Sequence, residues 1–341
     1  MTKAMLVLTV ATILVASLLY GFEEEKIIDI DGRNVFVRVS GAKKSNPYAF
    51  FLHYGPGGNS FYFEKIVGPE IEKYVNIIYV DLYGAGRSGH KDTMAVYTKK
   101  GLESFTVDRY MKDILYIADY VGAEKYGIIA HDFGAFVGME CVKAAPDRVL
   151  WFVGINPQLD YRSNIQYLAE EIHKQFQYIE KNGDPYESVL IVDKLQIMEK
   201  LQKDGLTEPE RMERFYSLFK YAHNLYFSKE KEISKHPVAK KLIKHELFQT
   251  TIGQMALVGL IYSDRYYLKD NLPKLKFLYG KRVLIIESET PFVDPGQYER
   301  IRREFPWVGI TEIPNGYFFP MIENKEATIK ILKDFFKQLQ K

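Results

Sequence analysis

Gly127-Ile128-Ile129-Ala130-His131-Asp132-Phe133-Gly134-Ala135 carries a short apolar run straight into a helical pattern that continues to about residue 145. The run is of strand length, and the spacing after it is that of a helix. No loop separates the two, so Asp132 stands on the turn itself. An aspartate there can cap the helix by accepting N–H bonds from its first turn. It can also offer its carboxylate for chemistry. Working outward, residues 27–30 and 35–39 flank Asp31-Gly32, the pattern of a tight hairpin. Residues 48–53 and 75–81 are short apolar runs, with partial helical periodicity over 66–74. Over 107–121, Met111, Ile114, Leu115, Ala118 and Val121 share one helical face. Residues 149–155 read as a strand, 282–286 as a strand, 295–305 as a helix, 308–313 as a strand and 325–339 as an amphipathic helix. Short buried strands alternating with helices predict an α/β fold, a mostly parallel sheet with helices on both faces.

Residues 158–274 break the alternation. They are rich in Tyr and Lys, helical in pattern, and interrupted at Asn182-Gly183-Asp184-Pro185 and Gly205-Leu206-Thr207. A helical block inside a sheet protein predicts a lid or cap. The sheet domain is then split into residues 23–157 and 275–341. Ahead of it, residues 4–22 carry no charge, with Lys3 before them and Glu23, Glu24, Glu25 and Lys26 after. At about 1.5 Å per residue such a helix just spans a hydrocarbon core of about 30 Å. Residues 1–22 therefore read as a signal anchor, or as a signal peptide cut near Val15-Ala16-Ser17. The expected partner is a membrane through an N-terminal hydrophobic helix, with the globular part outside the cytosol.

The chain has 341 residues, with 46 Lys+Arg against 44 Asp+Glu, and this near balance speaks against a nucleic-acid partner. At 47% hydrophobic residues it is globular in composition. Its one cysteine, Cys141, excludes an internal disulfide and reads as a buried helix residue. No H-E-x-x-H or similar spacing points to a metal, and no cofactor is expected. Gly84-Ala85-Gly86-Arg87-Ser88-Gly89 does match G-x-G-x-x-G. A dinucleotide site, however, needs those glycines to open a helix. Here His90-Lys91-Asp92-Thr93 follow, and no apolar periodicity begins until about Val107. A nucleotide-dependent oxidoreductase would rest on that motif alone.

Four segments together resemble the α/β-hydrolase superfamily. His53-Tyr54-Gly55-Pro56-Gly57-Gly58 is similar to the oxyanion loop of proline iminopeptidases and to the H-G-x-P of epoxide hydrolases and haloalkane dehalogenases. Asp81-Leu82-Tyr83-Gly84-Ala85-Gly86-Arg87-Ser88 resembles the D-x-x-G-x-G-x-S loop of these groups. Ala130 to Ala135 stands where their nucleophile elbow belongs, and Ile313-Pro314-Asn315-Gly316-Tyr317-Phe318-Phe319-Pro320 resembles the segment that carries the catalytic histidine. The resemblance implies the α/β-hydrolase fold, with Asp132 at the nucleophile position. Small residues must flank such an elbow, and Ala130 and Gly134 do so. An Asp there is similar to epoxide hydrolases and dehalogenases, whose carboxylate attacks carbon to form an ester. The N–H of Phe133, with one from the loop of His53, Tyr54 and Gly55, would form the oxyanion pocket.

The remaining triad positions depart from the family. The histidine position holds Phe318, and the acid position holds Thr290. Glu287, Glu289 or Asp294 would replace the acid only with a shifted backbone. The histidines are 53, 90, 131, 173, 223, 236 and 245, and none follows residue 245. His53 and His131 read as structural; one of the others would have to reach the site from the lid. Epoxide hydrolases also use two lid tyrosines to protonate the epoxide oxygen. The lid offers many aromatics, among them Tyr161, Tyr167, Tyr178, Tyr186, Tyr216, Tyr221, Tyr226, Tyr262, Tyr266 and Tyr267. They read foremost as packing of the cap. The expected function is a membrane-tethered protein with a degenerate triad that binds a small molecule or short peptide under the lid. The alternative is an active hydrolase, epoxide hydrolase- or dehalogenase-like or aminopeptidase- or esterase-like, using Asp132 with a non-standard base.

Overall fold

The computed structural model describes residues 22–88, 98–218, 221, 237, 257–290 and 292–339. Eight strands form one sheet: β1 Phe22–Ile30, β2 Arg33–Gly41, β3 Tyr48–Leu52, β4 Asn76–Asp81, β5 Tyr126–His131, β6 Val149–Ile155, β7 Arg282–Ser288 and β8 Gly309–Ile313. Their order across the sheet is 1-2-4-3-5-6-7-8. β1, β2 and β4 pair antiparallel, and the rest of the sheet is parallel. The central strands β3, β4 and β5 are buried along nearly their whole length. That is why they read as continuous apolar runs rather than as alternation.

The hairpin forms at Asp31-Gly32, both with positive φ, as a two-residue turn between right-twisted strands requires. The edge strand is longer than its apolar signal. It begins at Phe22, the last residue of the uncharged N-terminal run, and includes Glu23 to Lys26. Charges along an exposed sheet edge discourage pairing with other chains. The rest of the expected signal anchor, residues 1–21, lies outside the described residues. Among the described residues no helix is long and apolar enough to cross a membrane.

Helices cover the sheet. α1 is Phe61–Ile66, followed by a further short turn at Gly68–Ile71, so the periodicity over 66–74 belongs to two short pieces divided near Pro69. α2 is Val107–Tyr120, and its buried face is rotated from the expected one. Tyr110, Asp113 and Ile117 are buried with Ile114 and Ala118, while Met111, Leu115 and Val121 are only partly covered. The reason is Asp113, whose carboxylate takes both arms of the buried Arg33 guanidinium from β2. A polar residue turned inward with its partner 80 positions away carries no local signal. α3 is Phe133–Ala144, α4 Tyr161–Asn182, α5 Pro185–Asp204, α6 Pro209–Leu218, α7 Gly296–Glu304 and α8 Lys325–Leu339. α4 to α6 lie between β6 and β7 in the chain, and α4 packs on α5. Short turns over Leu260–Leu278 return the chain to β7. Cys141 is buried in α3.

Candidate active site

β5 runs into α3 through a single residue, Asp132, held at φ 53° and ψ −117°. A side-chain-bearing residue keeps such a conformation only where its surroundings impose it. Asp132 N–H donates to the Ile155 carbonyl at 3.1 Å, and its own carbonyl accepts from Ala135 N–H at 3.0 Å and from Gln158 N–H at 3.3 Å. Ala130 is buried in β5 between Leu52 of β3 and Gly154 of β6. Gly134 is where α3 nearly touches the end of β3. A Cβ there would lie 2.2 Å from the Leu52 carbonyl oxygen.

The carboxyl group of Asp132 is buried, the residue being 2% exposed. Its Oδ2 accepts from Gly55 N–H at 3.1 Å, and Oδ1 has no hydrogen-bond partner. It makes no side-chain cap to its own helix, so capping does not account for it. Burial pushes its pKa up to about 7, against the opposing pull of the Gly55 and Phe133 N–H groups and the Gln158 amide. The donors expected for an oxyanion thus converge on the carboxyl of Asp132 itself.

His53 and His131, the two histidines beside the elbow among the described residues, face elsewhere. His53 is fully buried. It accepts Leu82 N–H at Nε2 (2.9 Å), which leaves Nδ1 to donate to the Tyr54 carbonyl at 2.6 Å. His131 donates from Nε2 to the Phe318 carbonyl at 2.9 Å and accepts the Tyr62 hydroxyl at Nδ1, 2.7 Å. Burial lowers the pKa of both, that of His131 to about 3, so both are neutral. His173 lies on α4, 3.8 Å from Glu199. His90, His223, His236 and His245 lie outside the described residues.

Phe318 is 1% exposed. Its ring packs 4.6 Å from Phe292, 4.7 Å from Phe319, 4.9 Å from His131 and 6.1 Å from Tyr54, centroid to centroid. Its loop is tied down by its backbone. Asn156, just after β6, donates from Nδ2 to the carbonyls of Tyr317 (3.0 Å) and Phe318 (3.2 Å). Ser288, at the end of β7, donates to the Tyr317 carbonyl at 2.5 Å and bonds back to Asn156. Thr290 Oγ1 accepts Phe292 N–H at 3.3 Å and so serves its own turn. The expected substitutes for the acid are engaged elsewhere: Glu287 pairs with Arg302, Asp294 caps Gly296, and Glu289 is exposed.

The glycine loop after β4 wraps a carboxylate rather than a phosphate. Asp81 accepts Arg87 N–H and Ser60 N–H, and the Arg87 side chain bridges Asp81 and Glu64. Gly86 sits where a Cβ would be 2.5 Å from Asp81 Oδ2. Residues 89–97, which follow, lie outside the described residues.

Of the tyrosines in residues 158–274, three gather near the elbow. Tyr161 and Tyr266 pack edge-on to Phe133, and Tyr266 shares a 2.6 Å hydroxyl pair with Tyr216. Burial pushes the phenols of Tyr216 and Tyr266 up, and the charge of Asp132 reaches each. Tyr262 bonds Glu213, Tyr267 bonds the Thr207 carbonyl, and Tyr178 and Tyr186 are exposed. One residue that the sequence did not single out also belongs here: Gln158 lies beside Asp132, its N–H on the Asp132 carbonyl.

A family model described as the alpha/beta hydrolase fold matches residues 48–325. The chain belongs to the α/β-hydrolase fold family. No curated protein matches this chain. Among solved structures it is similar to a proline iminopeptidase-related protein from Thermus thermophilus, with 20% identity, 92% of this chain and 96% of the other covered, and TM-score 0.64. It is also similar to a haloalkane dehalogenase from Bradyrhizobium elkani, with 13% identity, 94% and 99% covered, and TM-score 0.62. A proline iminopeptidase from Mycobacterium smegmatis gives 14% identity, 92% and 98% covered, and TM-score 0.59. At these identities the likeness is one of fold. The turn between β5 and α3 carries a buried carboxyl, and the loop after β8 carries a buried phenyl ring.

Proposed function

We propose that this α/β-hydrolase binds a small molecule or short peptide beside Asp132 and does not turn it over. The observation that carries the reading is Phe318, a buried ring on a loop fixed by Asn156 and Ser288. An ester formed on a carboxylate needs a base to activate water. A phenyl group at that place can neither take nor give a proton. His53 and His131 support the same reading, since each spends both ring nitrogens on the protein. Panels of epoxides, haloalkanes, esters and aminoacyl-arylamides are expected to give no steady turnover. Sustained turnover that Asp132→Asn abolishes would sink the reading.

The paired hydroxyls of Tyr216 and Tyr266 favour a second reading, a single covalent capture. One Asp132 oxygen attacks an epoxide carbon, and the C–O bond of the ring breaks. The alkoxide takes its proton from Tyr266, which solvent reprotonates. A hydroxyalkyl ester remains, because neither His53 nor His131 is free to activate water on it. Intact mass should rise by one epoxide, and the adduct should be absent in Asp132→Asn. Only the ionised carboxylate attacks, so the rate should climb as pH rises through about 7. No adduct with any reactive epoxide removes this version.

A further inference from the structure

β3 lies between β4 and β5 in the sheet, parallel to both, and its last residue Leu52 pairs with Val80 on one side and Ala130 on the other. The three strands therefore end level, and their exits carry Leu82, His53 and Asp132. Hydrogen bonds join these exits in a row. Leu82 N–H donates to His53 Nε2 at 2.9 Å, His53 Nδ1 donates to the Tyr54 carbonyl at 2.6 Å, and Gly55 N–H donates to Asp132 Oδ2 at 3.1 Å. The last two bonds meet on one peptide unit. The Tyr54 carbonyl and the Gly55 N–H belong to the same planar amide, so turning one turns the other. A backbone N–H can only donate, so Leu82 fixes the His53 tautomer with its proton on Nδ1. The far end of the row is anchored. Asp81, next to Leu82, accepts Ser60 N–H at 2.8 Å and the Ser60 hydroxyl at 2.7 Å, and Arg87 grips it.

We infer that His53 is a positioning residue for Asp132 and acts through the Tyr54–Gly55 peptide. Its ring N–H holds the carbonyl, so the N–H on the other side of the same amide faces Asp132 Oδ2. It also polarises that amide, because a hydrogen bond accepted at the carbonyl strengthens the one donated by the N–H. A stronger donor favours the ionised carboxyl. Without the His53 bond the peptide is free to turn, the donor weakens, and Asp132 keeps its proton to higher pH. The other donors facing that carboxyl are the Phe133 N–H and the Gln158 amide. Burial raises the phenols of Tyr62, Tyr216, Tyr266 and Tyr298 and keeps His53 and His131 neutral, so Asp132 is what titrates here near neutral pH. This tuning is independent of what binds beside Asp132 and of whether it is turned over.

Carboxyl carbon NMR of the full-length protein, labelled at aspartate, follows the titration, and the Asp132 resonance is assigned by its loss in Asp132→Asn. His53→Leu removes both ring nitrogens, and the Asp132 midpoint should rise by about one pH unit. His53→Asn keeps an amide N–H near the place of Nδ1 and loses the Nε2 acceptor. Its midpoint should stay within about half a unit of the parent. A side chain that merely fills space would lower Tm in both variants and leave the midpoint alone. An unmoved midpoint in His53→Leu overturns the assignment, and so does an equal rise in the two variants. Should His53→Leu fail to fold, nitrogen NMR of the parent decides. His53 should carry its proton on Nδ1 throughout the Asp132 titration, and the Gly55 amide proton should move with that titration. A His53 proton on Nε2, or a Gly55 amide indifferent to the titration, overturns it equally.

Discussion

Asp132→Asn is expected to make the protein more stable at pH 8 and to leave it nearly unchanged at pH 3.5. The carboxyl is buried, and its pKa rises from 3.8 to about 7 on folding. Below pH 3.8 both the folded and unfolded states hold the proton, so the group costs nothing. Between 3.8 and about 7 the unfolded chain releases the proton while the folded protein keeps it. Stability then falls as pH rises, because the unfolded state binds fewer protons. Above about 7 the loss is complete, at most about 4 kcal/mol at 1.36 kcal/mol per pKa unit. Asparagine has no charge to desolvate and can still accept Gly55 N–H. A gain of a few kcal/mol corresponds to a rise in Tm of roughly 5–10 °C for a chain of this size. Thermal melts of both proteins from pH 3.5 to 8 measure the difference. Parallel curves, or a gain that shrinks as pH rises, would refute the assignment of the raised pKa to Asp132.

Gly134→Ala is the second large effect, and its sign is opposite. The added Cβ would meet the Leu52 carbonyl oxygen at 2.2 Å, the Leu52 carbonyl carbon at 2.5 Å and the His53 oxygen at 2.7 Å. All three are backbone atoms at the end of a strand that is paired on both sides. None can swing away as a side chain would. Relief requires α3 to lift from the sheet, and the Asp132–Gly55 hydrogen bond would part with it. A loss of about 4 kcal/mol or more is expected, a large share of ordinary domain stability. Gly138, one turn further along α3, is the control. Its Cβ would meet only side chains, Phe152 at 3.1 Å and Ile128 at 3.3 Å among them. Gly138→Ala should cost about 1–2 kcal/mol through local repacking. Urea titration of both variants gives the comparison. A Gly138→Ala cost equal to that of Gly134→Ala would reject the backbone-clash explanation.

Where a signal was local, it could be read from the sequence. The hairpin at Asp31-Gly32, the strands flanking the elbow and the final helix over Lys325–Leu339 follow from residue spacing, and the structure has them. Where a residue's role is set by a distant partner, spacing said nothing. Asp113 turns inward because Arg33 waits there, and Tyr216 and Tyr266 meet across 50 positions. Gln297 of α7 reaches the exit of β6, where it bonds a backbone carbonyl 140 positions away. The edge strand was hidden for another reason. Phe22 closes an apolar run and Glu23–Glu25 open an acidic one, so a change of composition falls inside a single element. Thr290 and Phe318 stood out as expected departures because the motifs around them resemble those of the family. What Thr290 and Phe318 do instead, one closing a turn and the other filling an aromatic cluster, needed coordinates.

The loop bearing Phe318 is gripped by the carbonyls of residues 317 and 318, through Asn156, Ser288 and His131. Every amino acid presents those same carbonyls. These backbone grips are therefore indifferent to the side chain the loop delivers, and the packing of the Phe318 ring comes in addition to them. To an engineer, position 318 is held by a frame that a substitution there would not remove, so the cost of changing it would fall on the ring packing.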